Sequence, residues 1–241
     1  MISGYSNERR FIDVFNDKFV YQLEEKYVKF LEDIYEKKLD RNSYVICWKP
    51  VVNEKTDIII RVGSEKKRLS IKTGKNNSVH MEKLSSFIKF LKELGCNDEV
   101  IELYKDFHYG VLKNGKRISS KEYQELFPNE LKEMNDIFNC NIDLVKVFDR
   151  FLFEGLNCVI DFVDVLVYGT IDNYKFATRK EITEYLLNYK DEFLAPHFGA
   201  LVLQPWTRNL NNNEKYEYRR EYVQVKWYRL EEVFDKIGKT N

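Results

Sequence analysis

The chain has 241 residues, 44% of them apolar and 15% aromatic, which is enough for one large core or two small ones and excludes a disordered segment. Its 39 basic and 39 acidic residues cancel, which excludes a broadly basic DNA coat, so any polyanion must be held by local patches. No apolar stretch approaches the roughly 20 residues of a membrane span, and the opening MISGYSNERR lacks the apolar centre of a signal peptide, so a cytoplasmic protein is expected.

Apolar positions at Phe11, Val14, Phe15, Phe19, Leu23, Tyr27, Phe30, Leu31, Ile34 and Tyr35 recur at helical spacing. They predict one helix, or two in succession, over about residues 7–38, with a cap near Ser6. The run SYVICWKPVV, starting at Ser43, reads as a strand interrupted by Pro50. A hairpin follows: DIIIRV and RLSIK flank GSEKK, where Gly63 and Ser64 mark the reversal. The segment TGKNNS then leads to a helix expected from about Val79 to Leu94, capped by Asn77 or Ser78 and closed by Gly95.

The middle of the chain reads as mostly helical, over Ser119–Phe127 and Asn129–Gly155. VIDFVDVLVY, from Val159 to Tyr168, has the β-branched content of a strand buried on both faces. Thr178 followed by Glu181 is a capping box for a helix that ends near Tyr189. GALVLQPW and REYVQVKWY are strand-like runs separated by a polar loop too long for a tight turn. A single domain over 1–241 is expected: a core at 6–95, a mostly helical insertion at 96–195 and a C-terminal strand pair at 196–241. Cys47, Cys96, Cys140 and Cys158 include no CxxC pair and are expected to be reduced, mostly buried thiols.

The hairpin carries the chemistry. It puts Asp57 at the start of one strand and Lys72 at the end of the next, at one edge; whether they share a face depends on the register of the turn. A helix bearing Glu8, then Asp57, then Lys72, in the order helix–strand–strand–strand–helix, resembles the PD-(D/E)xK superfamily of restriction-endonuclease-like nucleases over roughly residues 6–95. The resemblance implies an α/β fold with an αβββα core and a mixed central sheet, a helical insertion and a C-terminal β-hairpin. It also implies a Mg²⁺-dependent type II endonuclease acting on double-stranded DNA, a homodimer, and a companion DNA methyltransferase. In that family the aspartate and the second acid bind Mg²⁺, and the lysine positions or activates the attacking water. Asp57 and Lys72 match; Thr56 stands where the motif has Pro, and Ser70 stands where it has the second acid.

A serine is a weak neutral ligand for a hard cation, so either another acid supplies the charge or the site has lost its chemistry. Glu8 ranks first and Glu82, taken as one turn into the next helix, second; Glu54 falls on the wrong side of the strand start. The metal set is therefore Asp57 with Glu8 or Glu82. His80 is either a proton shuttle or a hydrogen-bonded structural histidine, and His80, His108 and His197 lack ligand spacing.

Lys75, Asn77 and Ser78 are expected to meet a phosphate at the start of that next helix. The tail supplies a basic, amide-rich patch with Gln204, Arg208, Arg219, Arg220 and Lys226 as DNA contacts, since arginine pairs with guanine and Gln or Asn with adenine in the major groove. The alternatives are a DNA-binding module without catalysis and a protein-interaction domain.

Overall fold

The computed structural model describes residues 4–51, 55–74, 77–156, 162–190 and 193–240. Elements run in chain order as α1 (Gly4–Phe15), β1 (Lys18–Phe19), α2 (Glu25–Tyr35), β2 (Tyr44–Trp48), β3 (Ile58–Val62), β4 (Glu65–Lys72), β5 (Ser78–Lys83), α3 (Leu84–Glu93) and α4 (Asp98–Tyr109). There follow α5 (Ser120–Leu126), α6 (Pro128–Cys140), α7 (Leu144–Phe148), β6 (Val165–Thr170), β7 (Asn173–Thr178), α8 (Arg179–Leu187) and β8 (His197–Phe198). The last are β9 (Leu201–Pro205), α9 (Glu214–Glu217), β10 (Tyr222–Trp227), α10 (Leu230–Ile237) and β11 (Lys239–Thr240). The chain gathers into two compact units, one from 1–76, 148–185 and 229–241, the other from 77–147 and 186–228.

The first unit is built on a mixed seven-stranded sheet in the order β1-β2-β3-β4-β6-β7-β11. Among the described residues its one parallel pairing joins β4 to β6, with Leu69 beside Val165 and Lys72 beside Tyr168. β4 and β6 are central strands, which explains their runs of consecutive buried residues, Arg68–Ile71 and Val165–Val167. Phe11 and Phe15 of α1 and Phe30 and Leu31 of α2 are buried in the same core as Ile58, Ile60, Val167 and Phe176. Phe30 meets Phe176 edge-on at 4.9 Å and Tyr174 at 5.3 Å, contacts worth about 0.5–1.5 kcal/mol each beyond area burial.

The second unit carries a four-stranded antiparallel sheet, β5-β10-β9-β8. Its core includes Phe87, Tyr104, Phe107, Phe138, Leu203, Val225 and Trp227, all at or below 1% exposure.

Several expectations change. The helix expected from about Val79 begins only at Leu84, because Ser78–Lys83 pairs with β10 as a strand. The 129–155 helix breaks at Asn141–Asp143, where Asp143 Oδ1 accepts from the amide of Val145. The strand expected from Val159 starts at Val165, and residues 159–161 lie outside the described residues. Cys47 and Cys96 are buried free thiols, whereas Cys140 is exposed; Cys158 lies outside the described residues. No described helix is long and apolar enough to cross a membrane.

Candidate active site

The turn decides whether Asp57 and Lys72 meet. Val62 pairs with Glu65, so only Gly63 and Ser64 lie between the strands, and Gly63 takes the left-handed φ of +60° that such tight hairpins use. That register places Ile58 opposite Leu69 and continues one step further, where the Asp57 amide donates to the Leu69 carbonyl at 2.9 Å. Asp57 therefore stands beside Ser70, and Lys72, two residues on, shares the face of Ser70. The question of a shared face is answered by a two-residue loop.

Asp57 is held from three directions. Its Oδ2 accepts from the Ile71 amide at 2.6 Å and from Ser70 Oγ at 3.0 Å, and lies 4.0 Å from Lys72 Nζ. Its Oδ1 has no hydrogen bond among the described residues. Ser70 is 1% exposed, while the side chains of Asp57 and Lys72 are each about a quarter exposed. Ser70 is thus a buried donor that orients Asp57. Thr56, next to Asp57, is buried with a hydroxyl that has no partner among the described residues.

Glu8 belongs to the same unit. Asn7, fully buried on α1, donates its amide to the Gly169 carbonyl at 3.0 Å and so ties the start of α1 to β6. From there Glu8 Oε2 reaches Lys49 Nζ at 2.5 Å. Lys49 follows β2 directly, and its ammonium is held above the ordinary lysine range, first by the hydrogen bond to Glu8, with the charges of Glu8 and Asp57 adding to it. The sequence reading missed Lys49. Its one signal is the pattern it shares with Lys72, a lysine closing an apolar strand.

Glu82 and His80 belong to a strand rather than to a helix. Both lie on β5 in the second unit, buried, with His80 Nε2 3.3 Å from Glu82 Oε1. Glu82 is thus a strand residue paired with a histidine, because β5 replaces the first turn of the expected helix. For the same reason no helix amides begin at Asn77 or Ser78. Asn77 Nδ2 donates to the Trp227 carbonyl at 2.9 Å, and Ser78 Oγ accepts from Gln224 Nε2 at 3.0 Å. Lys75 and Glu54 lie outside the described residues.

The tail divides into buried and open residues. Arg208 is 5% exposed; its Nη1 donates to the Ile118 carbonyl at 3.0 Å and its Nη2 to the Phe107 carbonyl. Burial pulls its pKa down to about 10. Arg220 is also buried, with Nη1 2.7 Å from Glu217 Oε1. These two arginines hold the second unit together and are withdrawn as DNA contacts. The polar loop is likewise self-bonded: Asn209 Nδ2 donates to Glu217 Oε2 at 2.6 Å, and Arg117 clasps both Glu217 oxygens at 2.9 Å.

What stays open is one sheet face. Val223, Val225 and Trp227 of β10 are buried, and Tyr222, Gln224 and Lys226 alternate with them on the half-exposed side. Gln224 faces Gln204 on β9 and Met81 on β5. Arg219 lies over the Trp206 ring at 4.6 Å and the Tyr216 ring at 4.7 Å.

No protein-family model matches the chain, and no curated protein matches it. Among solved structures the chain is similar to restriction endonuclease MspI, in its crystal structure in complex with its cognate DNA. The TM-score is 0.56 at 15% identity, and the likeness covers 92% of this chain and 91% of that one. The fold is restriction-endonuclease-like.

Proposed function

We propose that the chain is a metal-dependent endonuclease of type II restriction character that hydrolyses phosphodiester bonds in double-stranded DNA. The observation that carries this reading is the convergence of Asp57, Ser70 and Lys72 on one face at the carboxyl end of β4, within a restriction-endonuclease-like fold. Ligand sites in α/β sheets form outside the carboxyl ends of strands, which is where these groups stand.

The donor set fits a hard divalent cation such as Mg²⁺, which takes one or two carboxylates and completes its shell with water and phosphate oxygens. Asp57 would hold it through Oδ1, with Glu8 as the second carboxylate once it parts from Lys49. When bound, the cation supplies a water of lowered pKa and neutralises charge on the phosphate. Asp57 is prevented from rotating by its bonds to Ser70 and Ile71. Lys72 would put a positive charge where the pentacoordinate phosphorus group gains negative charge, its ammonium N–H donating a hydrogen bond to a nonbridging oxygen there. Gln204, Gln224 and Lys226 on the open sheet face, with Arg219, would grip the duplex. The chain would act as a single nuclease domain in the cytoplasm, as a homodimer beside a DNA methyltransferase.

The competing reading is a DNA-binding module that has lost catalysis. It is favoured by Ser70 in place of an acid and by the lack, among the described residues, of any group of three or more His, Cys, Asp or Glu side chains poised for a metal. Supercoiled plasmid incubated with Mg²⁺ decides. Nicking or linearisation by the wild type, lost in Asp57→Ala, is expected; gel retardation without cutting in Mg²⁺ or Mn²⁺ supports the binding module.

A further inference from the structure

Each of the two candidate metal carboxylates in the first unit, Asp57 and Glu8, stands beside an ammonium group. Lys72 lies 4.0 Å from Asp57 Oδ2, and Lys49 lies 2.5 Å from Glu8 Oε2. Lys49 Nζ also sits 5.0 Å from the centre of the Tyr5 ring, and Asp57 is close enough for its charge to act on it. Glu8, Asp57, Lys49 and Lys72 are thus a neutral quartet, two carboxylates balanced by two ammoniums. A divalent ion entering such a set would leave it with two excess positive charges, unless one ammonium departs.

Exposure says which one can leave. The Glu8 side chain is 15% exposed, whereas Lys49 is 47% exposed. The acid is fixed on α1, whose start is tied down through Asn7 and Gly169. The lysine is carried on a flexible four-carbon stem at the end of a strand. An ion pair with one partner half in water contributes little net free energy, so its loss is a small obstacle to an ion of twice the charge.

We propose that Lys49 is the resident counter-ion of Glu8, a placeholder that a divalent cation displaces on entering the site. This rests on the nuclease reading and deepens it: Glu8 is the second metal carboxylate, and Lys49 sets the cation concentration at which the site fills. Lys49 is a positioning residue, since it acts through Glu8.

The test uses the full chain without DNA, titrated with Mn²⁺ and read from the electron paramagnetic resonance signal of the free ion. Lys49→Met, which keeps the stem and removes the charge, is expected to bind Mn²⁺ about three- to tenfold more tightly than wild type. Lys49→Gln should behave alike. Glu8→Gln should weaken binding, and adding Lys49→Met to it should give no gain. Lys37→Met, which removes a lysine paired with Glu65 in the same unit, should leave the affinity unchanged and thereby exclude a general charge effect. Equal or weaker Mn²⁺ binding in both Lys49 variants overturns the proposal, as does a gain that persists in the Glu8→Gln background. Plasmid cleavage by the wild type separates the two readings. Cutting with unchanged Mn²⁺ affinity in the Lys49 variants removes the placeholder alone, whereas neither cutting nor Mn²⁺ binding in any variant removes both.

Discussion

The hairpin edge at Asp57 and the loop between β9 and β10 look alike in composition, both rich in charge and amide, yet the structure treats them oppositely. In the loop the main charged groups find partners within their own unit: Glu217 takes Arg117, Arg220 and Asn209, and Arg208 is enclosed between the carbonyls of Phe107 and Ile118. At the hairpin edge one Asp57 oxygen has no hydrogen bond among the described residues, and Lys72 stands at the outer limit of an ion pair. Saturated polar groups hold a fold, whereas incompletely matched ones at a sheet margin are available to a ligand. A sequence shows which groups are present but not which have found partners.

Substitutions on the two sides should therefore fail in different ways. The largest effect is expected at the hairpin: Lys72→Ala and Asp57→Ala should each lower plasmid cleavage at least about 100-fold, with DNA retained in gel-shift assays. Cleavage within threefold of wild type in either variant would remove the site assignment. Next, Arg208→Ala should cost about 2–4 kcal/mol in urea unfolding, because two buried carbonyls lose their donor. An unchanged midpoint, together with weakened DNA binding, would return Arg208 to the DNA contacts.

A smaller effect concerns pH. Burial lowers the pKa of His108 to about 4. Its unfolded form takes up a proton near pH 6.5 while the folded form does not, so stability is complete above about 6.5 and falls as pH drops from there toward 4, by up to about 1.4 kcal/mol per unit. Chemical unfolding at pH 7 and pH 5 should show that slope, and His108→Gln should flatten it. The smallest effect is on the open face, where Lys226→Ala should weaken duplex binding evenly across sequences and reduce the slope of log affinity against log salt by about 1. An unaltered slope would leave that face a solvated sheet surface.

The hairpin was legible because local signals sufficed: β-branched runs, a Gly at the reversal, and two charged residues at matching ends. The face shared by Asp57 and Lys72 was not, since it depends on whether the loop holds two residues or three, which the letters GSEKK do not specify. β5 was missed because SVHMEK alternates buried and exposed positions through His80 and Glu82, which read as polar until their mutual pairing hides them. The open oxygen of Asp57 and the Lys49–Glu8 contact are long-range facts, separated by 41 positions in the second case. Capping at Thr178 was visible at once, because cap and partner lie three residues apart.

The bond from Asn7 to Gly169 joins groups 162 positions apart, and β4 finds its parallel neighbour β6 only after a long excursion of the chain. Contacts of such separation close slowly, whereas a two-residue hairpin closes fast. During refolding, amide protons of β3 and β4 should gain protection from exchange well before those of α1. Half of the reactive edge would thus be present early, and competence would wait on the last stitch between the two ends of the fold.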